Sequence, residues 1–552
     1  LSFISDGVSE VVAKSHNFVY RHAPELFDSS YRRTQQNGEV FKGNHSARRM
    51  IELGKYNLGQ YLQAGSYELV ICTHVFAAMM LTAAKRHYDL SIRTAIVEKG
   101  LKASLDGHDA WFLRAEHNWN QVCNGGLAAG ALAVFDELPF ESARVIQRAV
   151  ETIHLPLDGG YSPEGCYAEG YNYWGYGTSF QIILAAALES AFGTDCGILD
   201  GKEGFRNSSR FMMMMNTPRH GIFNFGDCSQ GASAQYMQAW MALKYGNVAP
   251  LRPEMEIMKD SGYSSFAEER LLPFFMVCAS RLSSEGTSLE NIPSPMDRFY
   301  ECGGTTPLFI YRSGWDGPDD TYFAIKGGKA SSSHSHCDQG TFIFESDGVG
   351  WAVDLGMQDY NSLESRGLDI WNTKQPSDRW KVYRIGPFSH NILTIDGKVP
   401  EVDSYVGIER IWKDPSCKGA ELPLTLFYMN DLDTFFRKAT LDGNNDLFIR
   451  DSLVNGNKES LFKWQMCTEA APYVQSDGSI LLQSGAHTRI LSVTTLPGYG
   501  PQVKLDATPF IEDAGPVMDY DEPNPGKSIV GFTFSLPPEG RINLLFSIRK
   551  TE

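Results

Sequence analysis

The stretch that decides how this chain is organised is residues 331–354, SSSHSHCDQGTFIFESDGVGWAVD. Its alternating apolar residues predict one strand over 341–345 and another over 351–355, joined by a turn that contains glycine. His334 and His336 come just before the first strand, in a polar segment rich in serine and glycine. Residues two apart in an extended segment point to the same side, so both imidazoles are expected to face one pocket.

A metal site is the chemical hypothesis that these strands raise. Asp354 lies in the second strand, and His390 precedes another strand within residues 386–397, GPFSHNILTIDG. Two imidazoles and a carboxylate on neighbouring strands are ordinary Zn²⁺ ligands, and such a set would leave one histidine for chemistry. The chain has 13 histidines, and a histidine is more often a hydrogen-bonded side chain than a ligand, so this motif alone leaves both interpretations open.

Composition bounds the class of protein. A chain of 552 residues predicts two or three domains, and 42% hydrophobic with 21% charged residues is typical of a soluble globular protein. The formal charge of −17 argues against a nucleic-acid partner and means that an anionic substrate needs a local basic patch. No membrane span is expected, because the most apolar run, residues 69–84, is short and contains His74. Without an initiator Met or a signal peptide, we expect a mature or trimmed sequence.

The 10 cysteines show no CxxC pairs and no regular spacing, so neither a disulfide framework nor a thiolate zinc site is predicted. Cys337, inside the HSHCD run, is interpreted as a small packed residue.

The spacing of apolar residues changes once along the chain. Residues up to about 285 contain runs with apolar residues three or four apart, which predict helices arranged as a solenoid or a toroid of hairpins. These runs are 67–85, 125–137, 142–153, 178–192, 232–245 and 266–282. A Ser/Pro/Gly-rich linker over 283–295 is followed by short alternating runs with turn dipeptides, which predict antiparallel β-sandwich structure. We therefore expect an α+β multidomain protein with a helical domain over 1–290, a central β-sandwich with the metal site over 291–470, and a C-terminal β region over 471–552.

A second group of polar and aromatic residues lies in the helical part. Residues 115–126 read AEHNWNQVCNGG and residues 159–177 read GGYSPEGCYAEGYNYWGYG. Asparagines at a helix start act either as caps or as ligands of a substrate. Tyrosines and Trp174 beside polar groups suit stacking against sugar faces, although core packing explains such residues equally well.

The order and spacing of these blocks, HNWNQVCNGG, PEGCYAEGYNYWGYG, SHSHCDQGTF, AVDLG and GPFSHNIL, resemble the heparinase II/III-like polysaccharide lyases, whose relatives include oligo-alginate lyases and dermatan-sulfate epimerase. The resemblance covers most of the chain. It implies an incomplete (α/α) toroid followed by antiparallel β domains, and β-elimination at 4-linked uronic acids of an anionic polysaccharide. It also implies one structural Zn²⁺ per chain and a periplasmic or secreted protein. The helical segment before Asn118 is short for the family, so the toroid is expected to lack its first hairpins or to be trimmed.

The resemblance also assigns roles to residues. Asn118 would neutralise the substrate carboxylate, Tyr173 would act as general acid and, for one epimer, as base, and His334 would be the base on the other face. Zinc would be held by His336, Asp354 and His390. The predicted substrate-binding residues of the cleft between the helical and β domains are His117, Trp119, Asn120, Trp174, Tyr360, Trp371 and Arg384. His117 competes with Asn118 for its role, and Tyr171 and Tyr176 are the alternatives to Tyr173.

Two other enzyme classes stay open from the sequence. A glycoside hydrolase on an α/α toroid would use two of Glu116, Glu164 and Glu169 as acid and base. A cupin-like metal oxygenase would combine the two histidines of the HSH motif with Glu345 and a later histidine. A sugar-binding relative without activity is a third reading. The particular polysaccharide, its sulfation and the oligomeric state are not readable from the sequence.

Overall fold

The computed structural model describes residues 93–106, 110–260, 270–498 and 501–551. It divides into two compact units. The helical unit comprises the described residues up to Tyr161 together with Tyr173–Ser209 and Ser233–Pro293, and the β unit comprises Ser162–Asn172, Arg210–Ala232 and the chain from Ser294 onward. The predicted helix over 67–85 lies outside the described residues.

Three helices of the first part of the chain begin earlier than the periodicity predicts, at residues 118, 139 and 170, whereas two begin later, at residues 238 and 272. A π-helical segment, Ala95–Lys102, continues to Leu105 and precedes the α-helices. These are α1 (Asn118–Ala133), α2 (Pro139–Thr152), α3 (His154–Gly159), α4 (Gly170–Phe192), α5 (Glu203–Met215), α6 (Gln238–Tyr245), α7 (Leu251–Asp260) and α8 (Leu272–Ser284).

Helices α1 and α4 pack closely because small residues let their backbones approach. A Cβ on Gly125 of α1 would lie 2.6 Å from the carbonyl oxygen of Phe180 in α4, so glycine is required there. Most of α1 is buried, whereas α2 buries one stripe that includes Val145, Ile146 and Ala149. A helix buried on nearly all sides lies inside its layer, and an amphipathic one covers it.

A buried carboxyl group lies in this helical packing. Glu254 of α7 is 1% exposed, and its Oε2 accepts a hydrogen bond of 2.6 Å from the backbone N–H of Gln235. Its Oε1 is buried and has no hydrogen-bond partner among the described residues. Burial raises the pKa of Glu254 to about 8, and the hydrogen bond from Gln235 lowers it only partly. The carboxyl group is therefore protonated in the folded protein at neutral pH.

Replacing Glu254 with Gln is expected to stabilise the protein at pH 8 and to change it little at pH 5. Below the ordinary Glu pKa of 4.5 both folded and unfolded states are protonated. As the pH rises from there toward 8, only the unfolded state ionises, so the wild type loses stability. Glutamine retains the acceptor for Gln235 and does not titrate, so the gain at pH 8 should be on the order of a few kcal/mol. Calorimetric melting of the wild type and the variant at the two pH values measures this difference in stability.

The matched control is Glu256→Gln on the same helix. Glu256 is 42% exposed and pairs with Arg252 at 2.8 Å, and such surface pairs contribute about 0–1 kcal/mol. Glu256→Gln should therefore change the melting temperature little, and by a similar amount at both pH values. A Glu254→Gln effect that does not grow between pH 5 and pH 8 would contradict the assignment of a neutral buried carboxyl group.

The β unit contains three antiparallel sheets. In chain order the strands are β1 (Phe299–Cys302), β2 (Leu308–Arg312), β3 (Tyr322–Lys326), β4 (Phe342–Ser346), β5 (Val349–Ala352), β6 (Leu393–Ile395), β7 (Arg410–Asp414), β8 (Cys417–Pro423), β9 (Leu432–Asp442), β10 (Leu447–Asn455), β11 (Ser460–Thr468), β12 (Ala471–Val474), β13 (Ile480–Ser484), β14 (His487–Thr495), β15 (Thr508–Asp513), β16 (Ser528–Leu536) and β17 (Arg541–Lys550). The sheets run β1-β2-β3-β4-β5, β12-β13-β14-β17-β10-β9-β8-β7 and β15-β16-β11-β6.

The three sheets share one core. Trp464 of the four-stranded sheet stacks on Phe546 of the eight-stranded sheet, with ring centroids 4.0 Å apart, and on its other side it meets Phe342 of the five-stranded sheet at 6.3 Å. A buried ion pair joins Arg437 of β9 to Asp451 of β10 through two hydrogen bonds of 2.9 and 2.7 Å. Face-to-face packing of antiparallel sheets is sandwich architecture, as predicted.

The predicted domain boundaries need two corrections. Strands β12–β14 lie after residue 470 but pair in the same sheet as β10 and β17, so the structure has no boundary near 470. Residues 162–172 and 210–232 precede residue 290 but belong to the β unit. Beyond residue 300, the described helices are short, namely α9 (Tyr360–Glu364) and a 3₁₀ turn over Arg379–Lys381.

Candidate active site

His334 is held in an uncommon backbone conformation at the tip of the loop before β4. Its φ of 58° lies in the left-handed region, which non-glycine residues rarely adopt and which is often found at functional sites. Its carbonyl oxygen accepts the backbone N–H of Asp227 at 2.8 Å. A Cβ on Gly226 would lie 2.6 Å from that oxygen, so glycine is required where the two segments meet.

Asp227 connects the two histidines of the HSH motif. One carboxylate oxygen, Oδ2, lies 3.1 Å from Nδ1 of His334, and the other, Oδ1, lies 3.0 Å from Nε2 of His336. Arg379 donates from Nη2 to both oxygens, at 3.2 and 3.1 Å, and to the carbonyl of Ser335 at 2.8 Å. One buried carboxylate therefore fixes both imidazoles and a guanidinium group.

The charge of Asp227 is maintained by these partners. Burial raises the pKa of Asp227, but Arg379, His334 and His336 together hold it well below its usual range. A permanently ionised carboxylate on Nδ1 of His334 favours the tautomer that donates Nδ1–H to it. Nε2 then carries the lone pair and is available to accept a proton.

A second carboxylate and two aromatic rings also surround the His334 imidazole. Oε1 of Glu169, a buried residue of the β unit, lies 3.8 Å from Nε2 of His334. The hydroxyl of Tyr360 lies 3.2 Å from Nδ1, and the ring of Trp371 meets the imidazole edge-on at 5.9 Å. Trp371 is 51% exposed and packs against Tyr360 with ring centroids 4.7 Å apart. Tyr360 and Trp371 thus lie beside His334, and their contact with substrate stays a prediction.

The three predicted zinc ligands lie together behind this group. Nδ1 of His390 lies 2.7 Å from Oδ2 of Asp354, and the rings of His390 and His336 have centroids 5.3 Å apart. Oδ1 of Asp354 accepts the backbone N–H of Gly356 at 2.8 Å. Among the described residues, Nδ1 of His336 and Nε2 of His390 are buried and have no hydrogen-bond partner.

Each of these histidines thus has one nitrogen on a carboxylate and one nitrogen without a partner, which is the usual arrangement of metal-binding histidine. Burial lowers the pKa of His336 against the opposing effect of Asp227, which favours the neutral, ligating form. Asp354 raises the pKa of His390 although burial opposes it. In the described part of the chain, no three His, Cys, Asp or Glu side chains lie where they could together hold a metal ion. The two partnerless nitrogens suit a metal ion, whereas both oxygens of Asp354 are engaged, one by His390 and one by the backbone N–H of Gly356. The ligand set of His336, Asp354 and His390 therefore stays a prediction.

The predicted residues around Asn118 lie at the start of α1 in the helical unit. Asn118 is the first residue of α1 and is buried, and His117 is the N-cap. Trp119 packs edge-on against Trp111, with ring centroids 5.1 Å apart. Asn120 donates to the carbonyl of Thr152 at 3.3 Å, which joins α1 to α2, and it accepts from Asn124 of its own helix at 2.7 Å. The structure thus gives Asn120 a packing role.

Tyr173 lies in the first turns of α4 and is half-buried, as is Tyr176, whose ring packs edge-on against Phe180. Tyr171 and Trp174 are fully buried. A fully buried ring offers no face to a sugar, so the burial of Trp174 corrects the stacking role predicted for it. Tyr173 and Asn118 belong to the helical unit and His334 to the β unit, and their predicted arrangement around one substrate stays a prediction.

Arg384 is committed to internal contacts. It donates to Asn524 Oδ1 at 3.0 Å, to the carbonyl of Met357 at 2.9 Å and to Glu522 Oε2 at 3.1 Å, and it is 8% exposed. These bonds hold three loops of the β unit together. The structure therefore corrects the predicted contact of Arg384 with substrate to a supporting role.

Sequence reasoning missed Asp227 and Arg379. Asp227 follows an aromatic run, residues 221–226, with no periodicity or metal-like spacing, and it lies about a hundred residues before His334. The Gly226–Asp227 pair is the one local signal, because glycine beside a buried acid marks a tight backbone approach. Glu169 was considered only as a hydrolase carboxylate.

Comparison with known proteins identifies the β unit. Residues 306–530 match the family model described as Heparinase II/III-like, C-terminal. Residues 306–530 are thus similar to the C-terminal domain of the heparinase II/III-like proteins, and the resemblance found in the sequence is confirmed for this part of the chain. The match contains His334, His336, Asp354 and His390. None of the curated proteins compared with the chain matches its sequence.

Several solved structures have a fold similar to that of this chain. Heparinase III is 10% identical, with a TM-score of 0.59 over 93% of this chain and 79% of that chain. The heparan sulfate lyase HepC from Pedobacter heparinus is 11% identical, with a TM-score of 0.54 over 95% of this chain and 83% of that chain. Another heparinase III gene product gives 13% identity and a TM-score of 0.54, over 95% of this chain and 74% of that chain. The predicted fold class, a helical toroid region followed by antiparallel β-sandwich structure, is confirmed. None of the helices in the described part of the chain has the length and apolarity needed to cross a bilayer.

Proposed function

We propose that this chain is a polysaccharide lyase that cleaves a 4-linked polysaccharide containing uronic acid by β-elimination and leaves an unsaturated uronate end. The observation that carries the proposal is His334, whose imidazole is oriented by the buried ion pair of Asp227 and Arg379 within a heparinase II/III-like domain. A periplasmic or secreted location belongs to the same proposal, since such polymers are met outside the cytoplasm.

His334 would remove the proton from C5 of the uronic acid. Nδ1–H donates to Asp227, so Nε2 is the atom that accepts the proton, and the carboxylate then stabilises the imidazolium. Loss of this proton makes an enolate-like dianion that must be neutralised at the substrate carboxylate. Arg379 is not available for that task, because its guanidinium group is bonded to Asp227 and to the carbonyl of Ser335.

The remaining tasks fall to the helical unit. The amide of Asn118 would donate to the substrate carboxylate, and Tyr173 would protonate the O4 leaving group as the C4–O4 bond breaks. For the opposite C5 epimer Tyr173 would also be the base. Tyrosine has a solution pKa of about 10, so that role needs positively charged surroundings. The rings of Trp371 and Tyr360 would stack against a sugar beside His334.

We also propose that His336, Asp354 and His390 hold one Zn²⁺. Bound zinc would act structurally, tying together three β segments and the loop that presents His334, rather than as a Lewis acid for the substrate. The partnerless Nδ1 of His336 and Nε2 of His390 support this assignment.

Replacing His336 with Ala is expected to lower both the metal content and the melting temperature, because binding free energy at such a site is folding free energy. Elemental analysis of the purified protein and calorimetry measure the two effects. His487→Ala is the control, since His487 is an exposed histidine of β14 in the same unit. Full metal loading of the His336→Ala variant would refute the ligand assignment.

Two alternatives have less support. A glycoside hydrolase needs two carboxyl groups facing one glycosidic bond, but Glu164 is exposed on its loop, where it accepts from Ser162 at 2.9 Å. A cupin-like oxygenase needs Glu345 as a third ligand, whereas Arg219 lies 4.0 Å from its carboxylate.

The test is a screen of uronic-acid polymers, namely heparan sulfate, chondroitin, hyaluronan, alginate and glucuronans, with ultraviolet absorbance as the readout. A lyase produces a conjugated unsaturated uronate without adding water. Products that have gained water and show no chromophore would replace the proposal with the hydrolase, and a dependence on iron and oxygen would replace it with the oxygenase. Binding without turnover on every polymer would favour the sugar-binding reading.

A further inference from the structure

Residues 162–168 lie along the end of β1 and the turn that follows it, all within the β unit. At one end of this contact the hydroxyl of Tyr300 donates to the carbonyl of Glu164 at 3.3 Å. At the other end Oγ1 of Thr306 donates to the carbonyl of Ala168 at 2.9 Å. Between these two hydrogen bonds lie Cys166 on one segment and Cys302 on the other.

The two thiols occupy one small space. Sγ of Cys166 and Sγ of Cys302 both donate to the carbonyl oxygen of Thr306, at 3.4 and 3.6 Å. Two sulfur atoms that both lie this close to one oxygen atom are near neighbours of each other. Both residues are buried, with exposures of 2% and 7%. Each cysteine backbone is fixed, since Cys302 ends β1 and the N–H of Cys166 donates to Ser162 at 3.1 Å.

We propose that Cys166 and Cys302 form a disulfide bond when the chain folds in the presence of a disulfide oxidant, such as oxidised glutathione or a thiol–disulfide oxidoreductase. One cysteine thiolate attacks the oxidant and releases one of its sulfurs as a thiolate. The second cysteine then attacks the mixed disulfide and releases the other. Two protein thiols lose two electrons and two protons, and the oxidant disulfide becomes two thiols.

The bond forms during folding rather than afterwards. Burial raises the pKa of the Cys166 thiol well above its ordinary value, and the neighbouring Cys302 raises it further. The attacking species is the thiolate, so the thiols exchange slowly once the native packing has closed over them. For the same reason the finished disulfide is protected from small reductants.

The bond would secure a segment of the candidate active site. Glu169 lies three residues after Cys166, and its carboxylate is 3.8 Å from Nε2 of His334. Residues 162–172 are an excursion of the chain into the β unit between two parts of the helical unit. A covalent link between residue 166 and β1 closes a long loop of the chain. The longer the loop that a cross-link closes, the more it lowers the entropy of the unfolded chain.

The experiment is oxidative refolding of the full chain. Reduced, denatured protein is refolded in a glutathione redox buffer, remaining thiols are alkylated under denaturing conditions, and the unreduced digest is analysed by mass spectrometry. We expect one linked pair of peptides, containing Cys166 and Cys302, and a melting temperature at least about 5 °C above that of protein refolded with reductant. Alkylation of both cysteines after refolding in the glutathione redox buffer would overturn the proposal, as would linkage of either one to another cysteine.

Matched variants distinguish the effect of the disulfide bond from the general effect of replacing a cysteine. Cys166→Ser and Cys302→Ser should each abolish the difference in melting temperature between oxidising and reducing refolding. Cys278→Ser, which removes a buried thiol of the helical unit, should preserve the difference. Because the peptide analysis uses the wild-type chain, it is decisive even where a variant folds poorly, and neither readout depends on lyase activity.

Discussion

Tyr173→Phe is expected to lower kcat by about 10²–10⁴-fold on every polymer that the wild type cleaves, because a general acid or base typically contributes that much. The substitution removes one hydroxyl group and retains the ring, so KM should change little. Tyr173 is half-buried in the first turns of α4, where loss of its hydroxyl does not open a core cavity. Steady-state kinetics by absorbance of the unsaturated product measures both constants.

Tyr176→Phe is the control for this prediction, because Tyr176 is half-buried on the same helix and its ring packs against Phe180. It should retain near-normal kcat. His334→Ala should be as damaging as Tyr173→Phe only on substrates whose C5 hydrogen faces the imidazole. Near-normal turnover by Tyr173→Phe on all substrates would show that the acid is another residue, and a large loss in Tyr176→Phe would name it.

The beginning of α4 shows why parts of the helical unit were hard to predict. Residues 170–177, GYNYWGYG, contain three glycines and three tyrosines, and their composition indicates a loop. In the structure they are the first two turns of a helix that continues to Phe192. Burial of Tyr171 and Trp174 stabilises helix here against poor intrinsic propensity. Periodicity located the apolar C-terminal part of the helix and missed the part that carries Tyr173.

The strands of the β unit were easier to predict, because the alternation of apolar and polar residues indicates directly which side chains face a core. The predicted strands over 341–345 and 351–355 both appear, as β4 (Phe342–Ser346) and, shifted toward the N-terminus, as β5 (Val349–Ala352). Which strands pair with each other could not be predicted, since strand partners are set by contacts between residues far apart in sequence. For example, β14 and β17, which come late in the chain, join the same sheet as β10, across the boundary predicted near residue 470.

The same distinction applies to the candidate site. His334, His336, Asp354 and His390 were found because two of them share a motif and the others lie beside predicted strands. Asp227, which orients the two histidines of the motif, lies on a different chain segment, and only the folded backbone brings its carboxylate to them.

Asp227→Asn is expected to lower kcat by about 10²–10⁴-fold with a small change in KM. The amide replaces one acceptor oxygen with a donor, so it no longer accepts from both histidines and Arg379. If the amide oxygen stays on Arg379, the NH₂ group faces an imidazole and favours the wrong tautomer, as in catalytic triads that lose their carboxylate. The buried guanidinium also loses its counter-charge, which costs about 3–5 kcal/mol of stability.

Asp451→Asn separates these two consequences. Asp451 is a fully buried aspartate of the same unit that pairs with Arg437, so its replacement should destabilise the protein by a similar amount. It makes no contact with the histidines, so kcat per folded molecule should stay near the wild-type value when both variants are assayed well below their melting temperatures. Equal losses of kcat in the two variants would show that Asp227 contributes only to the stability of the fold. A loss confined to Asp227→Asn, with KM unchanged, would identify it as the positioning residue of His334.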